Sequence, residues 1–458
     1  MKNVVENDFE KAVSYVHSLA DIRLDPSLPL GLDRFVALCE RLGNPHDKLR
    51  IVHIGGTNGK GSTTAMVSSI LRAAGYKVGT YYSPYVYNIR ERVQLNGSLI
   101  SEEDFVRIIN IIKPEATALA KTTFGHPTEF EVKTALGLFY FAEQQVDFAV
   151  LEVGMGGRLD ATNVVNPLVS VITNVGLDHL ERLGNTIAKI AREKAGIVKQ
   201  NGHLVTAAEH PEALKVIRQT CTERNCVMWR VYRADETIST FKIKPFDKAT
   251  DLEHIEKPSA VPYTPFFHVE GMNACYPNLT LQMQGEFQQL NAATAIGAIE
   301  VLQRKGIEIS ESAIRLGLEK AYIPGRLEIL QAKPTLLIDG AHNPDGAKIL
   351  AKALKTCFTY NRLILVMGMV SGHSVADTVG ILAPLAHRFY ATAPNCTRAV
   401  PPLDIAKAAT PYCAEIYQAE PVAEAVRLAL ESADESDLVC VTGSFYTIGE
   451  VPRPSRPL

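Results

Sequence analysis

Two kinds of hydrophobic pattern alternate along the first half of the chain. Continuous apolar runs of strand length are typical of strands buried on both faces. They cover 49–54, 76–82, 147–153 and 167–173. Apolar positions with a helical period lie between or after them, as in 132–145 and 186–198. This alternation predicts an α/β fold with a doubly wound, mostly parallel sheet.

The pattern changes twice further along the chain. From about 231 to 284 the chain is rich in proline and has short alternating segments, which predict a small β-rich subdomain. A helical pattern returns over 286–321 and ends at Tyr322-Ile323-Pro324-Gly325, where the chain is expected to turn. Further apolar runs then predict a C-terminal Rossmann-like α/β domain. We therefore expect an N-terminal domain over 1–323 and a C-terminal domain over 324–458.

Composition narrows the class of protein. A chain of 458 residues exceeds the size of one hydrophobic core, in agreement with two domains. The net charge of −3 offers no basic surface for nucleic acid, so we expect no nucleic-acid partner. The eight cysteines include no Cys-x-x-Cys pair, and no run reaches the roughly 18 apolar residues of a membrane span. We expect a cytoplasmic protein with reduced thiols and no membrane partner.

The first predicted strand ends in a glycine-rich turn that opens a helix. Such a turn directs backbone N–H groups at a phosphate, and a lysine within it reaches the outer phosphates of a nucleotide. The strict P-loop pattern fails, because Ile54 stands in its first glycine position. A narrower variant is complete, and we predict that it holds the phosphates of a nucleotide. Its residues are Gly56, Thr57, Asn58, Gly59, Lys60, Gly61 and Ser62.

Polar side chains follow three other predicted strands. Ser83, Glu152 and His179 come at or just after strand ends, the edge where open α/β sheets bind ligands. A carboxylate that closes an apolar strand is costly unless it is paired or bound to a metal. Glu152 is therefore the leading Mg²⁺ ligand, with a satisfied structural carboxylate as the alternative. The helical pattern alone predicts that the side chain of Lys194 is exposed to solvent.

The glycine-rich variant resembles that of the Mur-ligase superfamily. From about residue 30 to about 450 the chain resembles the folylpolyglutamate synthase/dihydrofolate synthase family. The resemblance implies that ATP phosphorylates a substrate carboxylate, and that the amine of L-glutamate attacks the acyl phosphate. The substrates would be dihydropteroate and folates, and the protein would act as a monomer.

The resemblance also assigns roles to individual residues. Lys60, Lys194 and His342 would act in catalysis, with Lys194 carbamoylated to assist the second of two Mg²⁺ ions. Those ions would be bound by Ser83, Glu152 and His179. Beyond the glycine-rich turn, Gln288 and Asn291 would contact the adenine, and Arg326 and Asp339 would reach the phosphates and ribose. Two pterin segments would hold the pterin-bearing substrate, one made of Thr128, Glu129, Phe130 and Glu131 and the other of Leu159, Asp160 and Ala161. His342 and Ser444 would contact the incoming glutamate.

The sequence leaves three hypotheses about the function open. The first is a bifunctional dihydrofolate synthase/folylpolyglutamate synthase, and the second is a folylpolyglutamate synthase without the dihydropteroate step. The third is a nucleotide-dependent switch or binding protein, which leaves the C-terminal domain without a task. Two segments depart from the family pattern, namely Tyr85-Val86 after Ser83-Pro84, and Val370–Ser374.

Overall fold

The computed structural model describes residues 7–20, 31–235, 239–246, 265–372 and 374–453. These residues form two β-sheets, which lie on either side of the turn at 322–325. The strands of the first sheet are β1 Ile51–Gly55, β2 Val78–Tyr81, β3 Val93–Leu95, β4 Ser98–Leu99, β5 Phe148–Glu152, β6 Val169–Ile172, β7 His203–Thr206, β8 Val227–Asp235, β9 Thr240–Pro245, β10 Phe267–Glu270 and β11 Cys275–Leu279.

The centre of the first sheet is parallel, as the apolar runs predict. Among the described residues the strand order is β11-β10-β9-β8-β7-β6-β1-β5-β2-β3-β4. Neighbouring strands from β8 to β2 are parallel, whereas β3 and β4 continue the other edge in antiparallel fashion. The strand β1, which leads to the glycine-rich turn, therefore lies in the interior of the sheet.

Helices cover both faces of this sheet. They are α1 Asp8–Ser18, α2 Asp33–Arg41, α3 Lys60–Ala73, α4 Glu102–Leu119, α5 Glu129–Glu143, α6 Leu180–Leu183, α7 Ile187–Ala195, α8 Pro211–Glu223, α9 Glu286–Arg304 and α10 Glu311–Lys320. Side chains of β1 alternate between the faces: Val52 and Ile54 pack with α3, α9 and α10, and Ile51 packs with α1, α2, α4 and α5. The doubly wound prediction is confirmed.

The β-rich segment differs from the expectation in its placement. Its strands β9, β10 and β11 do not form a layer of their own, but extend the edge of the main sheet beyond β8. Phe241, Phe267 and Tyr276 are buried against the same core as α9, which explains why the segment joins the sheet. The rest of this segment, 236–238 and 247–264, lies outside the described residues.

The second sheet has the order β12-β13-β17-β14-β15-β16 and is parallel except for the pair β12 and β13. Its strands are β12 Glu328–Ala332, β13 Thr335–Ile338, β14 Leu363–Gly368, β15 Arg388–Thr392, β16 Glu415–Gln418 and β17 Leu438–Thr442. Its helices are α11 Pro344–Thr356, α12 Val375–Leu382, α13 Pro402–Ala409, α14 Val422–Glu431 and α15 Phe445–Gly449. Within the described ranges, no helix is long and apolar enough to cross a membrane.

Candidate functional site

The glycine-rich turn is held in a left-handed bend between β1 and α3. Gly59 has a φ of 84°, and a Cβ at this position would lie 2.4 Å from the Asn291 side-chain oxygen. The Asn58 backbone N–H donates to Asn174 Oδ1 at 2.8 Å, which anchors the bend to the segment after β6. The geometry therefore requires glycine for close packing and points the start of α3 at a ligand.

Lys60 curls back over this turn. Its Nζ donates to the Thr57 carbonyl oxygen at 2.8 Å. Burial lowers the pKa of the Lys60 ammonium, and the carboxylates of Glu152 and Asp178 oppose that shift. The lysine charge thus lies among carboxylates at the end of the sheet, where the outer phosphates of a nucleotide would balance it.

The predicted metal ligands are only partly brought together. The Glu152 carboxylate is 3% exposed and accepts the Ser83 backbone N–H at 3.0 Å. Burial raises the pKa of Glu152 to about 7, against the opposing effect of Lys60. Both residues line one groove with Gly61, and carboxylate and hydroxyl oxygens suit Mg²⁺.

His179 is placed differently. It has a φ of 49° at the start of α6, and its side chain is 38% exposed, 3.9 Å from the Asp178 carboxylate. Within the described part of the chain, no three His, Cys, Asp or Glu side chains cluster as a metal site. Ligation by His179 therefore stays a prediction. The remaining ligands of Mg²⁺ would be phosphate and water oxygens.

The expectation of a solvated Lys194 is wrong. The residue is 3% exposed, and its Nζ donates to the Gly56 carbonyl oxygen at 2.7 Å. Burial, together with the charge of Lys60, lowers the pKa of Lys194 to about 7. The helix pattern missed this because α7 packs its last turn beneath the glycine-rich turn, a contact between segments 138 residues apart.

A narrow cleft that is partly open to solvent lies between the glycine-rich turn and the second sheet. Asn58, Gly59 and Ser62 line it from one side. Arg326, Asp339 and His342 line it from the other side, together with Asn343 and Leu350, and Phe287 lines it from the start of α9. The structure therefore brings together, across two domains, residues that are about 280 positions apart in the sequence.

The residues predicted to contact adenine lie on the first turns of α9. Asn291 Nδ2 donates to Gln288 Oε1 at 2.9 Å, and both side chains are at least nine-tenths buried. Gln288 Nε2 is buried and has no hydrogen-bond partner among the residues that the structure describes. An amide left in this state beside the glycine-rich turn suits a polar heterocycle.

Residues on the second-domain side carry backbone-held polar groups. The Asp339 carboxylate accepts the N–H groups of Leu327 and Ala341 at 3.0 and 2.9 Å. His342 Nδ1 donates to the Gly340 carbonyl oxygen at 2.8 Å, so Nε2 is the ring nitrogen that this bond does not use. Ser444 is 2% exposed and caps α15 through Thr447, so its hydroxyl has a structural role here.

All four predicted pterin-segment residues at the start of α5 have partners within the protein. Thr128 and Glu131 form a capping box, and the Glu131 carboxylate accepts the Arg34 guanidinium at 2.9 Å, buried on both sides. Phe130 packs edge-on against Tyr81, and Glu129 pairs with Lys133. Contact of these residues with a substrate stays a prediction.

The second pterin segment is tied to β1 by a chain of hydrogen bonds. The Asp160 carboxylate accepts the Thr162 hydroxyl at 2.5 Å and the Met155 N–H at 2.9 Å. Thr162 lies 2.8 Å from the ring of His53, which is fully buried and has its pKa lowered to about 3 by burial. Next to Asp160, Leu159 is exposed and Ala161 is buried.

The sequence reading missed two residues of this site. Asn174 holds the glycine-rich turn, and Asn343 lines the cleft with a buried Nδ2 that has no hydrogen-bond partner within the described part of the chain. Asn174 comes shortly after β6 and Asn343 shortly after β13, so the position after an apolar strand is the signal that the sequence offers.

Comparison with known proteins agrees with this geometry. Residues 54–299 match the Mur ligase middle domain, and residues 325–445 match the Mur ligase glutamate ligase domain. The dihydrofolate synthase/folylpolyglutamate synthase of Bacillus subtilis is 37% identical over 445 residues, which are 97% of this chain and 98% of that protein.

Two solved structures have the same architecture. That of Escherichia coli FolC in complex with DHPP and ADP has a TM-score of 0.79 and 29% identity, covering 96% of each chain. A bifunctional folylpolyglutamate synthase/dihydrofolate synthase with Mn, AMPPNP and L-glutamate bound has a TM-score of 0.78 and 27% identity, again over 96% of each chain. The chain therefore belongs to the dihydrofolate synthase/folylpolyglutamate synthase family of Mur ligases.

Proposed function

We propose that the protein is an ATP-dependent ligase that adds L-glutamate to dihydropteroate and to folates through an acyl phosphate. The observation that carries this proposal is the cleft between the glycine-rich turn and the second sheet, lined by Ser62 on one side and by Arg326 and His342 on the other. A phosphoryl group and an amine acceptor meet only if both halves of the chain supply ligands.

The nucleotide would lie along the start of α3. Residues 56–62 hold its phosphates, and Gln288 and Asn291 bind the adenine from the start of α9. Arg326 and Asp339 reach the phosphates and ribose from the second domain. Mg²⁺, held by Ser83, Glu152 and the phosphates, supplies charge neutralisation at the γ-phosphate. Two such ions are proposed, with His179 at the second.

The chemistry needs two steps. A carboxylate oxygen of the acceptor attacks the γ-phosphorus, the bond to the β-phosphate oxygen breaks, and ADP leaves. The glutamate amine then attacks the acyl carbon, the C–O bond to phosphate breaks, and the amine loses a proton. Lys60 and Arg326 stabilise the phosphoryl charge, while His342 and Ser444 orient glutamate, with Nε2 of His342 as the acceptor for an amine proton.

Lys194 is proposed to carry a carbamate. Carbamoylation requires the neutral amine, and a pKa lowered to about 7 leaves a large neutral fraction at physiological pH. The product converts a cation beside the glycine-rich turn into a carboxylate, which suits a site that accepts a second Mg²⁺.

The pterin-bearing substrate would bind between the two pterin segments. Phe130 supplies an aromatic face. The carboxylate of Asp160, whose two oxygens each accept a backbone N–H group, supplies a hydrogen-bond acceptor in a fixed position. We assign Thr128, Glu129, Glu131, Leu159 and Ala161 to the same pocket. The proposed domains are 1–323 and 324–458, and the protein is proposed to act as a monomer in the cytoplasm.

Coupled ADP release tests this function. The purified protein is assayed with ATP and Mg²⁺ plus dihydropteroate or tetrahydrofolate, with and without L-glutamate, and the products are identified by mass. Turnover that needs both an acceptor and glutamate is expected. Turnover with tetrahydrofolate but not with dihydropteroate would indicate a folylpolyglutamate synthase without the dihydropteroate step. ATP hydrolysis that depends on neither the acceptor nor glutamate would favour a nucleotide-dependent switch.

A further inference from the structure

A single carboxylate, that of Glu328, joins segments at the turn between the two sheets. Its side chain is 9% exposed at the start of β12. Oε1 accepts the Tyr322 hydroxyl at 2.6 Å, and Oε2 accepts the Gly325 backbone N–H at 2.7 Å. The carboxylate therefore closes residues 322–328 into one turn.

The same carboxylate is bound by an arginine from the far end of the chain. Arg453 Nη2 donates to Glu328 Oε1 at 3.0 Å, and its guanidinium lies 3.7 Å from the centroid of the Tyr87 ring. A guanidinium that is both stacked on an aromatic face and paired with a carboxylate is held on two sides. Arg453 thereby connects the turn with the first domain.

Tyr87 belongs to the segment that carries Ser83. The Glu91 carboxylate accepts the backbone N–H groups of Val86, Tyr87 and Asn88 at 2.8 to 2.9 Å. This segment is therefore a compact unit rather than a loose loop. A contact on the Tyr87 ring constrains the whole segment, including the end next to Glu152.

Arg326 stands between these contacts. It follows Gly325, whose carbonyl oxygen accepts the Gly340 N–H at 2.9 Å, and its guanidinium lies 4.6 Å from the centroid of the Phe445 ring. Arg326 lines both the cleft and the groove of Glu152. Its direction is thus set by a turn whose shape depends on the Glu328 carboxylate.

We propose that Glu328, Arg453 and Tyr87 form a latch whose task is positioning: it fixes the turn between the domains so that Arg326 and the Ser83 segment face the phosphates together. Glu328 touches no reacting atom in this scheme and acts through Arg326. The inference rests on the proposed function, because its readout is ligation. It predicts that loss of the latch slows the reaction without removing the nucleotide site of the first domain.

Three variants and two controls test the latch. Glu328→Gln, Arg453→Ala and Tyr87→Leu are each expected to lower kcat for ligation about tenfold, since a displacement of about 1 Å is costly to the reaction. The dissociation constant of ADP, measured by calorimetry, is expected to change less than about twofold. Tyr87→Phe keeps the ring and should restore activity to near wild type. Glu424→Gln removes an exposed pair with Arg427 and controls for loss of a surface charge.

A double-variant cycle separates positioning from simple destabilisation. Because Arg453 and Tyr87 serve one contact, the double variant should lose no more kcat than the worse single variant, within about twofold. The latch would be overturned if the two single losses in kcat multiplied in the double variant. It would also be overturned if kcat fell only in proportion to the folded fraction measured by circular dichroism. Arg453 is half-exposed, so its variant folds even where the Glu328 variant does not. Wild-type protein without ligase activity would instead refute the proposed function itself.

Discussion

Single side chains at this site are held in states that their residue type avoids elsewhere. Glu152 and Lys194 are both buried, and each has a pKa moved towards its neutral form, to about 7. A buried charge without a full set of partners is unfavourable, so bound ligands that supply opposite charge would stabilise the charged forms of Glu152 and Lys194. The site is thus electrostatically incomplete as protein alone.

Glu152→Gln tests the metal role at the residue scale. The amide keeps the shape and the Ser83 contact but loses the negative charge, so we expect kcat to fall at least about 100-fold. The midpoint of thermal unfolding should not fall, because a buried charge has been removed. Coupled ADP release and calorimetry measure the two effects, and Glu143→Gln, on an exposed helix end, is the matched control. Retained activity would exclude Glu152 as a ligand.

Lys194 predicts a pH dependence of stability in metal-free, CO₂-depleted buffer. The folded pKa of about 7 lies below the ordinary lysine value of about 10.4, so the unfolded chain binds more protons between these two values. The free energy of unfolding should therefore rise with pH from about 7 to 10 through this residue, and its contribution is lost as pH falls. Urea unfolding should show that rise to be smaller in Lys194→Met, which is also expected to be the more stable protein at pH 7.

At the scale of elements, the strands that extend the first sheet depend on one carboxylate of α9. Glu300 is fully buried, and it accepts the N–H groups of Met272, Asn273 and Ala274 and the Tyr276 hydroxyl. A hairpin at a sheet edge has few other partners. The helix therefore fixes the turn between β10 and β11 as well as covering the sheet.

Glu300→Ala should lower the free energy of unfolding by about 3 kcal/mol, because it leaves several buried donors without an acceptor. Urea denaturation measures the effect, and Glu319→Ala, exposed on the neighbouring helix α10, is the control. Since Glu300 lies away from the cleft, kcat should not change in the folded fraction. A loss below about 1 kcal/mol would show that water replaces the carboxylate.

At the scale of the whole molecule, the two sheets meet through few charged contacts, and the cleft between them is where the proposed reaction occurs. Glu286 at the start of α9 pairs with Arg233 of the first domain and with Lys352 of α11, each at 2.5 Å. Arg326 reaches the cleft from the second domain. Because these charged contacts and Arg326 lie at the same interface, we expect closure of the cleft to be coupled to substrate contact.

Arg326→Lys tests that coupling. The shorter ammonium keeps the charge but loses the planar donor fork, so we expect kcat to fall about 100-fold. The dissociation constant of ADP should rise less than about threefold, because the first domain holds most of the nucleotide. Steady-state kinetics and calorimetry give the two values. Equal losses in both would place Arg326 in ground-state binding instead.

The pattern of apolar runs was sufficient for the alternation of strands and helices in the parallel part of the first sheet, for the glycine-rich turn after β1, and for the position of Ser83 and Glu152 at strand ends. These follow from local periodicity and from the rule that parallel strands place their ends at one edge. Tertiary packing decided the rest. The burial of Lys194, the attachment of the β-rich segment to the main sheet, and the meeting of Arg326 with Ser62 all depend on contacts between distant segments, which a local pattern does not encode.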